Sequence, residues 1–301
     1  MAKTNFEKVM EFNRAFDMVK SPKTYISCSI DELGISQGNV FTHFRPNLFK
    51  DEPKTIKLRL DLIKEEIEEL NEAVKNNDFI ETRDAIGDIL YVVYGMADVL
   101  GINIDYHFKR DVNEKHIIHD ATELVNRISL YSNNDDTKKP IGLTNFGWIK
   151  LYLNVVQESF SDKQDCPKKC LDKCLKLINN TYLDIEKFCN NHQNHKDTEL
   201  CNIANFIIEL LSYVYIYAVL NNIDADADFT IIHDSNMSKL CDSEEDAILT
   251  VTDYEEKFKN GKSPYDSPYY YYLEDLNKWI IKNKSTGKAL KNIKYKQVAF
   301  N

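Results

Sequence analysis

Glycine and proline are scarce, 9 and 7 of 301 residues. So few sites for left-handed backbone or preset turns exclude a fold made of many tight turns, and they suit a chain of helices. Positive charge is also in deficit: 38 Lys and Arg stand against 48 Asp and Glu, a net charge of −10. No broad basic face is present, so a nucleic-acid polymer is not an expected partner. The opening MAKTNFEKVMEF is amphipathic and charged and lacks the apolar core segment of a secretory signal. Seven cysteines, an odd count, fit reduced thiols in a cytoplasmic setting better than a disulfide framework. Sequons such as Asn283-Lys284-Ser285 then carry no meaning. The remaining composition, 43% hydrophobic and 29% charged, is ordinary for a soluble globular chain.

Against this background one stretch stands out, RLDLIKEEIEELNEAVKNNDFIETRDAIGDILYVVYGMADVLGINID, from Arg59 to Asp105. Leu62, Ile63, Ile67, Leu70, Ala73 and Val74 recur at helical spacing, as do Ala85, Ile86, Ile89, Leu90, Val93, Ala97 and Leu100. The spacing predicts two helices joined by a polar turn at Asn76, Asn77 and Asp78, with Gly101 as a C-cap. Acid intrudes on both apolar stripes. Glu65 stacks on Glu69 and Asp84 on Asp88, four residues apart, and Glu66 flanks the first pair. If the helices pack antiparallel through these faces, the carboxylates meet in a partly dry space. There they repel, and burial penalises their charged form. Either protonation and basic partners satisfy them, or a hard divalent cation such as Mg²⁺ (or Mn²⁺) does. A solvated helix face is the plainer reading, and Glu68 and Glu72 are assigned to it. Asp84 and Asp88 resist it, because Ala85, Ile86, Ile89 and Leu90 surround them.

RLDLIKEEIEEL followed by DAIGDILYVVYGMADVLGINID resembles the MazG-like, all-α nucleoside triphosphate pyrophosphatases. The phosphoribosyl-ATP pyrophosphohydrolase-like branch is the nearest. The resemblance maps the E-E-x-x-E pattern onto Glu65, Glu66 and Glu69. The usual second motif, E-x-x-D, is altered: Ala85 stands three before Asp88, and the acid comes four before, at Asp84. Both offsets keep one helix face. The implied metal ligands are Glu65, Glu66, Glu69, Asp84 and Asp88, and the implied catalytic residues are Glu65, Glu66, Glu69 and Asp88.

The rest of the chain is read around that pair. Phe6, Val9, Met10, Phe12 and Phe16 mark a short amphipathic helix, and NFEKVMEFNRAFD resembles the family's opening helix. Pro22, Gly34, Gly38, Pro46 and Pro53 predict a long ordered loop in which Phe41, His43, Phe44 and Arg45 serve loop packing. In the family, Asn and Lys following the second helix reach the triphosphate; Asn113 and Lys115 are the matching residues. NNDDTKKP, 133–140, reads as a linker, dividing a half 1–135 that carries the metal site from a half 136–301. The second half is expected to repeat the first, with helices over 145–160, 166–190 and 200–220. The last is long enough to cross a bilayer, but Asn202, Asn205, Glu209 and Ser212 point to a buried helix, so no membrane is an expected partner.

Setting VLGINID on VLNNID pairs Val99 with Val219 and puts Asp88 on Ile208 and Asp84 on Ala204. The second half then appears as a degenerate copy without acids. Its tail, IDADADFTIIHDSNMSKLCDSEEDA and NKSTGKALKNIKY, resembles that of the same branch. The resemblance makes Asn236, Ser238, Lys239, Lys288, Lys291 and Tyr295 the substrate-binding set, with Lys as point charges for phosphate. If the halves share one site, Lys239 and Asn236 meet phosphates held near Glu69 and Asp88. Three further patterns are set aside. Cys166, Cys170 and Cys174 follow one helix face rather than zinc spacing. Asp224, Asp226 and Asp228 lack the glycine of a calcium loop. Tyr269–Tyr272 is read as an edge strand or loop beside a hairpin of Trp279–Ile281 with Ala289–Ile293.

The fold expected is mainly α, a MazG-like helical bundle, internally duplicated, with a small β-hairpin tail. The implied reaction is metal-dependent hydrolysis of the α–β phosphoanhydride of a (deoxy)nucleoside triphosphate to monophosphate and pyrophosphate. Phosphoribosyl-ATP as substrate and a non-catalytic nucleotide-binding scaffold are the alternatives, and the family's two-subunit assembly leaves a homodimer open.

Overall fold

In the computed structural model, residues 3–16, 48–102, 104, 166–191 and 202–300 are described. They form a mainly helical protein, with eight α-helices and one small antiparallel hairpin among the described residues. Of the expected loop at 21–53, residues 21–47 lie outside them, and a short helix, Leu48–Asp51, occupies most of the rest; the residues Asn113 and Lys115, the linker 133–140 and the helix 145–160 also lie outside them. The helices are α1 (Asn5–Ala15), α2 (Leu48–Asp51), α3 (Pro53–Asn76), α4 (Phe79–Leu100), α5 (Cys166–Asn190), α6 (Asn202–Leu220), α7 (Ala225–Met237) and α8 (Glu244–Lys259). The strands are β1 (Pro268–Leu273) and β2 (Lys278–Asn283).

The chain divides into two compact bodies, residues 21–226 and residues 1–20 with 227–301. These are not the halves 1–135 and 136–301, whose boundary concerns repetition rather than compactness. The first body is a four-helix arrangement. The polar turn is where the spacing places it. Asn77 takes a left-handed φ of 54° to end α3, and Asp78 caps α4 by accepting from the N–H groups of Ile80 and Glu81, each at 3.1 Å. α3 packs on α4 and α5 on α6, while α4 meets α6 and α3 meets α5. The seams bury Ile63, Leu70, Ile86, Ile89, Leu90, Val93, Ile178, Ile207, Leu211 and Val214 completely. Nearly apolar along its whole length, α6 is the one described helix long and apolar enough to span a membrane; most of it lies inside the bundle.

The second body joins the N-terminal helix to the tail. Thr4 and Glu7 form a capping box at the start of α1, and Ala15 and Phe16 bury against Leu240 and Ile280. Here the structure corrects the expected hairpin. The tyrosine run is itself a strand: β1 pairs with β2 in the register Tyr270–Ile281 and Tyr272–Trp279. Ala289 contributes one bridge, to Lys282. The reason is local. Asn277, at φ 50°, closes a four-residue turn that the sequence leaves undistinguished, and alternate rings Tyr270 and Tyr272 both pack on Trp279.

A buried asparagine pins the end of this hairpin. Asn283 is fully buried; its amide donates to Ser285 Oγ at 2.9 Å and Thr286 Oγ1 at 3.0 Å, and its carbonyl accepts from the Ser267 N–H at 2.9 Å. Removing it strands these groups, so Asn283→Ala should cost roughly 1–3 kcal/mol. Urea unfolding measures this, and an unchanged midpoint would contradict the assignment.

Candidate active site

The apolar stripe of α3 turns Leu60, Ile63, Ile67, Leu70 and Ala73 inward. Glu66 lies one turn from Ile63 and Leu70 and is drawn half inside, while Glu65 and Glu69 stand on the exposed rim. On α4 the buried Ala85, Ile86 and Ile89 hold Asp84 and Asp88 at intermediate exposure, and the Oδ1 atom of Asp84 is buried. The sequence pattern centres the cluster on Glu65 and Glu69; the structure centres it on Glu66. Burial, then Asp88, Glu69, Glu65 and Asp84 in that order, push the Glu66 carboxyl up to about 8. Glu69 is also raised, by loss of water around it and then by Glu65 and Glu81, and a hydrogen bond from Glu66 opposes that rise. Glu66 and Glu69 thus lie in hydrogen-bond contact, and a proton kept on Glu66 favours the charged form of Glu69. Glu68, beside Lys64 at 3.8 Å, and Glu72 are solvated as expected.

The other four acids of the sequence-derived set thus act on the carboxyl of the fifth, Glu66. Among the described residues, however, no three His, Cys, Asp or Glu side chains are gathered closely enough to cage an ion. The donor set still suits a hard cation. It is all oxygen, it repels itself, and it keeps a proton that positive charge displaces.

One residue of the hairpin went unnoticed in the sequence. Arg59 is 4% exposed, its guanidinium pulled down by burial and supported by Asp98 near the end of α4. The signal was available: Arg59 falls three after Ile56 and four before Ile63, on the apolar stripe.

The tail candidates belong to the second body. Lys239 Nζ donates to Asn236 Oδ1 at 2.6 Å and lies 5.6 Å from the Phe12 ring. Ser238 is a fastener: its hydroxyl donates to the Ser235 carbonyl at 2.7 Å and accepts from the Lys296 N–H at 3.0 Å. Ser235 also donates to the Tyr295 hydroxyl at 3.0 Å, and Lys291 lies 4.4 Å over the Tyr295 ring. Lys288 is over a different ring, Tyr265, at 5.7 Å. A groove of about 360 Å³ opens beside Ser238, but its lysines are Lys278, Lys294 and Lys296, none of them singled out by sequence. Asp242 pairs with Lys278, and Asp246 with Lys294 at 2.8 Å.

The Glu66 geometry predicts a pH effect. Its folded pKa lies above the ordinary 4.5, so the unfolded chain loses this proton first as pH rises. Stability contributed by the protonated form is complete below about 4.5 and is lost as pH climbs through about 8. In metal-free protein, Glu66→Gln should raise Tm at pH 8.5 and leave it nearly unchanged at pH 4. Scanning calorimetry at both values measures the difference; an equal Tm at pH 8.5 would remove Glu66 from the centre of the cluster.

Comparison with known proteins bears on the same residues. The profile of the phosphoribosyl-ATP pyrophosphohydrolase family matches residues 38–116, which include α3, α4 and every acid of the cluster. The opening helix and the tail lie outside that match. An uncharacterized protein of Acanthamoeba polyphaga mimivirus is 33% identical over 295 residues, 97% of this chain and 92% of that one. No solved structure matches. The acid-bearing helical hairpin, its all-α setting and the profile match identify residues 38–116 as a phosphoribosyl-ATP pyrophosphohydrolase domain, part of the MazG-like all-α nucleoside triphosphate pyrophosphatase superfamily.

Proposed function

We propose that the chain hydrolyses the α–β phosphoanhydride of a (deoxy)nucleoside triphosphate, giving monophosphate and pyrophosphate. The observation that carries this reading is the convergence of Asp88, Glu69, Glu65 and Asp84 on Glu66. Carboxylates so arranged have no structural use that apolar residues would not serve better. Glu65, Glu66, Glu69, Asp84 and Asp88 would hold Mg²⁺ or Mn²⁺, which when bound supplies charge neutralisation for phosphate oxygens and acidifies water. The chain's own groups do the rest. Glu66 keeps a proton; once it has left, the carboxylate is able to receive a proton from the attacking water. Water adds to the α-phosphorus, the anhydride bond breaks, and its electrons leave on pyrophosphate. In the second body, Asn236, Lys239, Lys291 and Lys288 are the groups we assign to phosphate oxygens, with Ser238 and Tyr295 holding the segment in shape. A cytoplasmic location and a nucleotide as the substrate partner accompany this reading, which leaves a homodimer open.

Phosphoribosyl-ATP is the second substrate to test, because the matching family profile is named for it. A pyrophosphate-release assay over a panel of nucleoside triphosphates and phosphoribosyl-ATP, with Mg²⁺, separates the readings. Release from one of them and its loss with chelator are expected; release from none would leave a binding protein.

Within that assay, Asp88→Ala or Glu69→Ala should lower turnover by about 10²-fold or more, the usual scale for a charge-stabilising group. Glu72→Ala, on the solvated face, should change it less than about twofold. Equal losses at Glu72 and Asp88 would defeat the site. Lys239→Ala should weaken binding of a non-hydrolysable analogue while leaving Mn²⁺ binding intact, both measured by calorimetry.

A further inference from the structure

The four-helix body contains contacts in which a residue meets its own counterpart. Asn71 on α3 donates to Asn179 Oδ1 at 3.0 Å, and Asn179 on α5 donates back to Asn71 Oδ1 at 3.2 Å. Each amide also donates to the carbonyl four residues earlier, Ile67 at 2.8 Å and Leu175 at 2.7 Å. Identical groups that make identical bonds in both directions mark a twofold axis. The residues are 108 apart. On the other helix pair, the hydroxyls of Tyr94 and Tyr215 lie 3.1 Å apart, with a separation of 121 residues.

The helix ends repeat this second shift independently. Gly101 is left-handed at φ 74°, and the next N–H, of Ile102, reaches the Ala97 carbonyl at 2.9 Å. Asn222 is left-handed at φ 57°, and the N–H of Ile223 reaches the Ala218 carbonyl at 2.9 Å. Gly101 and Asn222, Ile102 and Ile223, Ala97 and Ala218 are each 121 apart, as the tyrosines are. The same shift sets Ile86 on Ile207, Leu90 on Leu211 and Val93 on Val214, all fully buried. A shift of 108 sets Leu70 on Ile178, also both fully buried. The larger shift on α6 places the extra residues after position 184, in the last turns of α5 and the connection to α6.

This register overturns the pairing of Val99 with Val219. Matching letters put Gly101 on Asn221, but the left-handed residue is Asn222, one later. Asp88 therefore falls on Glu209 rather than Ile208, and Asp84 on Asn205 rather than Ala204. At a shift of 108, Glu65, Glu66 and Glu69 fall on Lys173, Cys174 and Leu177.

We propose that α5 and α6 are a second copy of α3 and α4 about a local twofold axis, carrying a silenced counterpart of the carboxylate site. Glu209 keeps the place of Asp88, Asn205 that of Asp84, and Cys174 that of Glu66. The silencing is chemical and steric. Cys174 is fully buried, its thiol is pushed up by burial, and it donates to the Tyr213 carbonyl at 3.1 Å, so it offers no oxygen and no thiolate. Leu177 removes the second donor, and Lys173 brings positive charge where Glu65 stood. Tyr213, in the place of Val92, is buried beside Cys174 and Glu209. Glu209 survives as one half-buried acid, with its carboxyl raised by burial and then by Asp184.

The assignment of the copies rests on the geometry alone; only its metal consequence rests on the function proposed above. The test uses the full chain. Cys174→Glu with Leu177→Glu and Asn205→Asp rebuilds the set around native Glu209. Electron paramagnetic resonance counts bound Mn²⁺, and the triple variant should bind twice the number bound by the wild type. Adding Glu209→Gln should take the gain away. A folded triple variant with the wild-type count overturns the silenced copy. A second arm needs no metal and survives misfolding of the first. Asn71→Cys with Asn179→Cys should form an intrachain disulfide under mild oxidation, mapped by peptide mass, whereas Asn71→Cys with Lys176→Cys should not. No bond between 71 and 179, or equal bonds in both pairs, overturns the axis. If the wild type binds no Mn²⁺, the metal reading of the first site falls, and the cross-link upholds or overturns the two copies.

Discussion

One half-buried carboxyl among four other acids constrains the first body. Glu66 is displaced from near 4.5 to about 8, a cost of a few kcal/mol at about 1.4 kcal/mol per pKa unit if it is forced to ionise. Burial of one large aliphatic side chain contributes roughly 1.5–3 kcal/mol. Ile63, Leu70, Ile86 and Ile89, all fully buried along the same seam, therefore offset it with a margin. The bundle tolerates its acids because the helix faces beside them are mostly apolar. That margin is also why the acids persist as a cluster instead of splaying apart. α4 has little freedom to rotate Asp84 and Asp88 outward without exposing Ile86 and Ile89.

The second copy shows the alternative solution on the same scaffold. With Cys174 and Leu177 on α5, most of the repulsion disappears, and the space is filled by thiol, aliphatic and ring. Both solutions keep the axial contacts, the asparagine pair and the tyrosine pair, which belong to the bundle rather than to the chemistry. The geometry separates the contacts that both copies keep from the acids that only the first copy carries.

In the second body the positive groups are held differently from surface ion pairs. Lys239, Lys288 and Lys291 lie over the rings of Phe12, Tyr265 and Tyr295. A ring face orients a cation without neutralising it. Lys278 and Lys294 in the neighbouring groove face carboxylates instead, and that groove is correspondingly balanced in charge.

Periodicity and residue type alone determined the helical hairpin of Arg59–Asp105, its turn at Asn77 and Asp78, its cap at Gly101, and the presence of five acids against an apolar stripe. These are local facts, set by side-chain spacing and backbone preference within a few residues. The helix at Cys166–Asn190 and the buried helix ending at Leu220 were legible for the same reason. Tertiary structure decided which acid is central, since Glu65, Glu66 and Glu69 are equivalent by spacing and differ only in what packs over them. It also decided the partner of the tyrosine strand, because Asn277 adopts a turn that many residues adopt. Above all it decided the register of the second copy. Letters match best with Val99 on Val219, yet the position of a left-handed residue is a property of the chain's path, and that path shifts the match by one and restores Glu209 to the place of Asp88.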